Sequence, residues 1–305
     1  MKIVVTGGSG LVGTKLKKHI PDAVYLSSKD FDLRKEQEVI DMYDKIKPDC
    51  VVHLAAKVGG IFDNINNPYS YFTDNILMNT LLVNYAHKYN VGRFIGMLST
   101  CIYPDIVSDK SFTEDMLHLG APPLTNFSYG YAKRSLAVQI DTLNSQFGRK
   151  YNYIIPCNLY GEGDKDGHNS HYVAALIKKI WEANINKENH ITLFGDGTPI
   201  RQFMYADDLA RVLKYMIDND ITESFNVAND EIYTIKEIAE IALDTTKSSG
   251  INIEWDISKP NGQYKKDVSI EKLKTIMPNF QFTTLREGIS SCYNFYKLKE
   301  NSNVS

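Results

Sequence analysis

Apolar residues in the first half of the chain fall into two alternating rhythms. Short continuous apolar runs, Lys2 to Thr6, Ala23 to Ser27, Cys50 to Ala55, Arg93 to Ser99 and Tyr151 to Leu159, predict five strands. Between them, Leu11–Ile20, Arg34–Ile46, Tyr69–Asn90 and Tyr129–Phe147 read as helices, with Val39, Ile40, Tyr43 and Ile46 at helical spacing in the second of these. The run from Cys50 to Ala55 is nearly all apolar, as expected of a strand covered on both faces. This alternation predicts an α/β fold with a doubly wound parallel sheet. After Tyr160 the rhythm weakens. A Gly- and Asp-rich loop spans Gly161–Ser170, a helix follows over His171–Ala183, a turn cluster sits at Gly195–Pro199, and Ile235–Thr246 is amphipathic. We expect a smaller α/β lobe that exchanges segments with the first, and a frayed polar end over Glu300–Ser305. The expected division is 1–161 plus about 202–230 for the Rossmann-type domain, with 162–201 and about 231–305 for the lobe.

Composition narrows the classes. The chain has 305 residues, 43% hydrophobic and 23% charged, which excludes a disordered chain. A net charge of -3 gives no pull towards nucleic acid or an anionic membrane. The longest apolar runs are far short of the roughly 20 residues of a membrane span, and MKIVVTGG reads as a first strand rather than a signal peptide. The four cysteines, Cys50, Cys101, Cys157 and Cys292, form no C-x-x-C pair, so no metal site is expected. Cys50 and Cys157 read as buried reduced thiols, in keeping with a cytoplasmic setting.

The candidate chemistry begins at the first turn. Gly7, Gly10 and Gly13 form G-x-x-G-x-x-G between a strand and a helix that opens on Leu11 and Val12. Glycines there permit a tight turn and a close approach of the backbone to a pyrophosphate at a helix N-terminus. The second strand ends in Ser27-Ser28-Lys29, where hydroxyls and an ammonium suit a 2′-phosphate, so NADP(H) is expected. Asp30 and Asp32 lie just beyond, and a solvated loop with an idle Lys29 is the bland alternative. Ala55 and Ala56 end the third strand, either flanking a dinucleotide or simply packing. Tyr129 and Lys133 form Y-x-x-x-K, one helical turn apart on one face. A cationic Lys133 would lower the phenol pKa of Tyr129, which would then exchange a proton with a carbonyl oxygen, with Ser99 hydrogen-bonding the same oxygen. From the residues alone Cys101 reads as a strand-end thiol and His171 as a helix N-terminal residue.

Taken together, these features resemble an extended short-chain dehydrogenase/reductase of the GDP-L-fucose synthase family. The stretches that carry the resemblance are VTGGSGLVG, VVHLAAKVGG, LSTCIYP, YGYAKR, NLYG, NSHYVAALI, GDGTPIRQF and NGQYKK, which reach from the N-terminus to about residue 266. The resemblance implies NADPH-dependent 3,5-epimerisation and 4-keto reduction of a GDP-linked 4-keto-6-deoxy sugar. It assigns Ser99, Tyr129 and Lys133 to reduction, Cys101 and His171 to epimerisation, and Asn158, Lys179, Arg201 and Lys266 to the nucleotide sugar. It also implies a homodimer built on the two long helices. The chain departs from the family in Gly161–His168, where a G-P-H-D-N-F-like segment is usual. That leaves the sugar open between a hexose and a longer 6-deoxy-heptose, and it places His168 close to His171 as a second candidate acid. A plain C4 reductase, a C3-only epimerase and a non-catalytic NADP-binding scaffold are the competing readings; the scaffold fits poorly with a complete Ser99, Tyr129 and Lys133.

Overall fold

Strand after strand enters one sheet in the same direction, because each is apolar on both faces and needs a helical layer on either side. The computed structural model describes residues 1–105, 110–164, 171–259 and 261–303. The chain runs β1 (Ile3–Thr6), α1 (Leu11–His19), β2 (Val24–Leu26), α2 (Glu36–Ile46), β3 (Cys50–His53), α3 (Ile61–Asn66), α4 (Pro68–Lys88), β4 (Arg93–Met97), α5 (Phe127–Phe147), β5 (Asn152–Pro156) and β6 (Asn158–Tyr160). It continues through α6 (Tyr172–Asn186), β7 (His190–Phe194), β8 (Ile200–Arg201), β9 (Phe203–Tyr205), α7 (Ala206–Asp218), β10 (Phe225–Val227), β11 (Tyr233–Thr234), α8 (Ile235–Thr245), β12 (Asn252–Asp256), β13 (Lys265–Lys266), α9 (Glu271–Ile276) and α10 (Leu285–Asn303).

The main sheet has six strands in the order β10-β5-β4-β3-β1-β2, every neighbour parallel. From β1 the chain winds outward to β2, then crosses back to β3 and on through β4 and β5. The reversal falls between β1 and β3, and a crevice opens there outside the carboxyl ends of the strands. One hydrophobic core surrounds this sheet, including Val51, Val52, Phe94, Ile154 and Leu209. A second, with Ile177, Ile180, Ile238 and Ile289, lies between α6, α8 and α10. Val268, Ile270 and Leu273 return late in the chain to the first core.

Two expectations need correction. The run Tyr151–Leu159 is two strands, broken at Cys157. Pairing with β4 ends at Ile154, and Pro156 has no N–H to extend it; the Cys157 N–H still donates to the Val227 carbonyl at 2.9 Å, and β6 then leaves the main sheet to pair with β9, Asn158 opposite Phe203. The polar C-terminal stretch is helical through Asn303 rather than frayed from Glu300, as a continuation of α10, whose Ile289, Cys292 and Tyr293 are buried in the second core.

Candidate active site

Gly7 follows β1 at φ 71°, and a Cβ there would lie 2.7 Å from the Ala55 backbone nitrogen. Only glycine permits that crossing of β1 over the end of β3. Gly13 is as constrained, since a Cβ would stand 2.5 Å from the Gly7 carbonyl oxygen. Gly10 begins α1 with no side chain to cap it, so the N–H groups at Leu11 and Val12 face the switch-point crevice as anion donors. Ala55 lies against the same turn from the end of β3, its N–H donating to Thr6 Oγ1 at 3.3 Å, and Ala56 follows it in the chain. This cradle, with backbone against backbone and no room for a Cβ, fits a dinucleotide pyrophosphate.

At the end of β2 the two acids are occupied. Asp30 accepts from the Ser27 N–H at 2.7 Å and from its hydroxyl at 2.8 Å, and the backbone bond above all holds its carboxyl below the ordinary value. Asp32 accepts from Arg34 Nε at 2.8 Å, and that bond likewise holds it low. Ser28 and Lys29 are exposed in the turn between.

Tyr129 lies in the first turn of α5 and Lys133 one turn on; both are buried. The helix seats tightly because residue 130 is glycine: a Cβ would stand 2.7 Å from both the Cys101 carbonyl oxygen and Pro122 Cβ. The Tyr129 ring also meets Tyr71 edge-on, with centroids 6.3 Å apart. Ser99 ends the loop after β4, and its Oγ accepts from the Cys101 N–H at 3.3 Å. One sequence expectation fails here: Lys133 does not lower Tyr129. Burial raises the phenol well above its ordinary value, the charge of Cys101 adds to this, and Ser99 opposes it. Burial also pushes Lys133 down to about 7, with its Nζ donating to the Met97 carbonyl at 2.9 Å. Desolvation of the phenol disfavours the phenolate more than any neighbouring group offsets.

Cys101 is the one cysteine of the four that is only partly buried, and none is in a disulfide. Its thiol sits below its ordinary value: burial pushes it up, and Lys266, Ser99 and Arg201 together pull it further down. Lys266 Nζ lies 3.1 Å from Cys101 Sγ. Strands β8 and β13 set Arg201 directly opposite Lys266. Arg201 is lowered to about 10 by burial, and its Nη1 donates to the Ile200 carbonyl at 2.8 Å. Ser99, Cys101, Tyr129, Arg201 and Lys266 therefore converge on one place, and Lys133 supports it from behind.

The remaining candidates stand on α6 and β6. His171 occupies the N-cap position of α6 without a capping side-chain bond, and its Nδ1 lies 2.9 Å from Oδ2 of Asp164, whose carboxylate is buried. Lys179 is two turns along the same helix. Its Nζ donates to the Thr192 carbonyl at 2.5 Å and sits 5.4 Å from the Phe194 ring centre, and burial lowers its pKa. Asn158 on β6 donates to the Gln202 carbonyl at 3.1 Å. His168 lies outside the described residues.

The sequence profile of the NAD dependent epimerase/dehydratase family matches residues 3–228. A GDP-L-fucose synthase of Dictyostelium discoideum is 35% identical, covering 95% of this chain and 93% of the relative. The chain belongs to the GDP-L-fucose synthase family. A GDP-L-colitose synthase of Yersinia pseudotuberculosis is 34% identical over 99% of this chain and 100% of its own. The GDP-L-fucose synthetase of Naegleria fowleri, solved bound to NADP, superposes with a TM-score of 0.87 at 31% identity, covering 98% of this chain and 93% of that one.

This GDP-L-fucose synthase-family chain contains site residues that sequence reasoning missed. Asp164 is one, a carboxylate in a glycine-rich turn seven residues before His171. A buried relay is another. His53 meets Thr6 Oγ1 through Nδ1 at 2.8 Å and Asn79 Oδ1 through Nε2 at 3.0 Å, and Asn79 Nδ2 donates to the Ala132 carbonyl at 3.0 Å. Burial first, then the nearby Lys133, holds His53 down to about 3, so it stays neutral. The relay ties β1 and β3 through α4 to the backbone beside Lys133. Asn79→Ala should leave the His53 ring nitrogen unpaired, at about 1–3 kcal/mol, while the Ala132 carbonyl keeps its place in the α5 helix ladder. Urea unfolding checks this: the midpoint should fall with the slope unchanged.

Proposed function

We propose that this chain converts a GDP-4-keto-6-deoxy sugar by 3,5-epimerisation and 4-keto reduction, with GDP-4-keto-6-deoxy-mannose as substrate and GDP-L-fucose as product. The observation that carries this reading is the convergence of Cys101, Ser99 and Tyr129 at the mouth of the switch-point crevice, with Lys266 on the thiol. A simple reductase has no use for a thiol held below its ordinary value beside its tyrosine.

The 4-keto group acidifies the protons on the carbons next to it. Cys101 as thiolate takes such a proton, the bonding pair moves onto the carbonyl oxygen, and Ser99 and Tyr129 hold the resulting enolate oxygen. His171 returns a proton from the opposite face. Asp164 on Nδ1 orients the ring so that Nε2 carries this transfer. Bound NADPH supplies a hydride for C4. Tyr129 gives its proton to O4, and Lys133, poised at about 7, shares the proton change one turn away. Arg201 forks onto the pyrophosphate and Lys179 adds charge, with Asn158 on the sugar side. Gly7, Gly10, Leu11, Val12, Gly13, Ala55 and Ala56 hold the coenzyme pyrophosphate and its neighbours, and Ser28 and Lys29 its 2′-phosphate. We assign 1–161 with about 202–230 to the coenzyme and 162–201 with about 231–305 to the nucleotide sugar.

Substrate-dependent NADPH oxidation tests the reading directly; no oxidation with GDP-4-keto-6-deoxy-mannose would remove the hexose assignment. NADPH should also be preferred to NADH, since Asp30 is engaged with Ser27 and Lys29 is exposed. Lys29→Asp should weaken NADPH roughly ten- to hundredfold in KM, the loss of one charge-assisted contact, and leave NADH unharmed. We further infer a cytoplasmic homodimer. Among the described residues no helix is long and apolar enough to cross a membrane. Helices α4 and α5 expose Tyr69, Phe72, Leu77 and Val138 for a second copy.

A further inference from the structure

We propose that Lys266 is the counter-ion that holds Cys101 as a thiolate, and hence a positioning residue for proton abstraction rather than a substrate ligand alone. This rests on the reading of Cys101 as the epimerising base. The contact is direct, 3.1 Å from Nζ to Sγ, between residues 165 apart in sequence. The pairing of β13 with β8, in the three-stranded sheet β11-β8-β13, delivers it, since alternate residues of a strand face opposite sides. Lys265 turns the other way, with its ammonium 3.6 Å from Asp267, so Lys266 alone of the pair reaches the thiol.

The groups that face Cys101 come from several elements. Ser99, at the end of the β4 loop, offers a hydrogen bond. Tyr129 on α5 is a protonated phenol, and Arg201 on β8 adds a second, more distant positive charge. Cys157, after β5, serves as an internal comparison. It too feels the charge of Lys266, yet burial leaves it raised to about 12, with the Asn158 carbonyl at 3.7 Å from its sulfur. Proximity to the ammonium is not enough; the 3.1 Å contact separates the two thiols. The chemistry demands that separation. Abstracting a proton beside a ketone needs a base that is ionised near neutral pH, and an isolated thiol, ordinarily titrating near 8.5, is only slightly ionised there.

Alkylation of the free enzyme tests this without turnover. Iodoacetamide is applied across a pH series and adducts at Cys101 are quantified by peptide mass spectrometry. In the unaltered protein the Cys101 profile should rise below the ordinary thiol range; a profile at or above that range overturns the proposal. Lys266→Met should slow Cys101 alkylation at pH 7 by about tenfold or more, as expected when an adjacent opposite charge is removed, and move the profile to higher pH. Lys266→Arg should restore most of it. A Lys266→Met profile that superimposes on the unaltered one, with nucleotide-sugar binding weakened, would overturn the proposal and leave Lys266 a phosphate ligand. If the methionine variant fails to fold, the arginine variant and the unaltered profile still decide. The functional reading fails separately: a shifted alkylation profile together with undiminished deuterium exchange in Cys101→Ser would sink the epimerase role and leave the ion pair standing.

Discussion

Cys101→Ser should lower deuterium incorporation next to the ketone by about 10²–10⁴-fold, the usual contribution of a positioned acid or base. Serine keeps the size of the side chain and the backbone turn that Ser99 caps, so the fold is unaffected. It changes the acidity. A hydroxyl beside Lys266 stays protonated at every accessible pH, whereas the thiol in the same place is already held below its ordinary value. Ser99 and Tyr129 remain in place, so substrate-dependent oxidation of NADPH should survive. Proton NMR in heavy water and absorbance at the coenzyme band read the two activities on one sample. A matched loss of both, in a folded protein, would move Cys101 from proton transfer to substrate binding. The pH dependence has a definite sign: exchange should fall as pH drops through the lowered thiol value, because protonation removes the base.

Tyr129→Phe should produce the opposite pattern. Coenzyme oxidation should fall by about 10²–10⁴-fold, because O4 loses its proton donor as the hydride arrives. Exchange beside the ketone should continue more slowly, with Ser99 alone on the enolate oxygen. Burial holds the Tyr129 phenol well above its ordinary value, so it stays protonated throughout the neutral and mildly alkaline range. Reduction should therefore show no alkaline loss attributable to this residue. The reverse oxidation, which needs the phenol deprotonated, should rise with pH. Stopped-flow measurement of both directions across a pH series checks this; an alkaline fall in reduction that disappears in Tyr129→Phe would contradict it.

Much of this site is local in sequence, which is why it was legible. The glycine turn at Gly7–Gly13 and the Tyr129–Lys133 pair each sit within two helical turns, where spacing alone sets the geometry. The main strands were legible because a sheet covered on both faces leaves unbroken apolar runs. What failed was what apolarity does not encode. The apolar run from Tyr151 to Leu159 does not announce that its end pairs with β9, a strand far along the chain. The effect of Lys133 on Tyr129 is not legible because spacing does not reveal burial, and burial of the phenol itself dominates. Asn79 on His53 and Lys266 on Cys101 are invisible because each pair meets only through the fold, and Asp164 on His171, though near in sequence, stands at a spacing that by itself sets no geometry. The resemblance named Lys266 for the substrate, whereas the geometry places its ammonium on the thiol.

The central claim is that one site both inverts and reduces the sugar. Incubating the protein with NADPH and GDP-4-keto-6-deoxy-mannose in heavy water, and examining the product by NMR, tests it most directly. The account predicts GDP-L-fucose carrying deuterium at both C3 and C5. A reduced product with protium at both carbons would contradict it, leaving a plain 4-reductase in which Cys101 and His171 take no part in the chemistry.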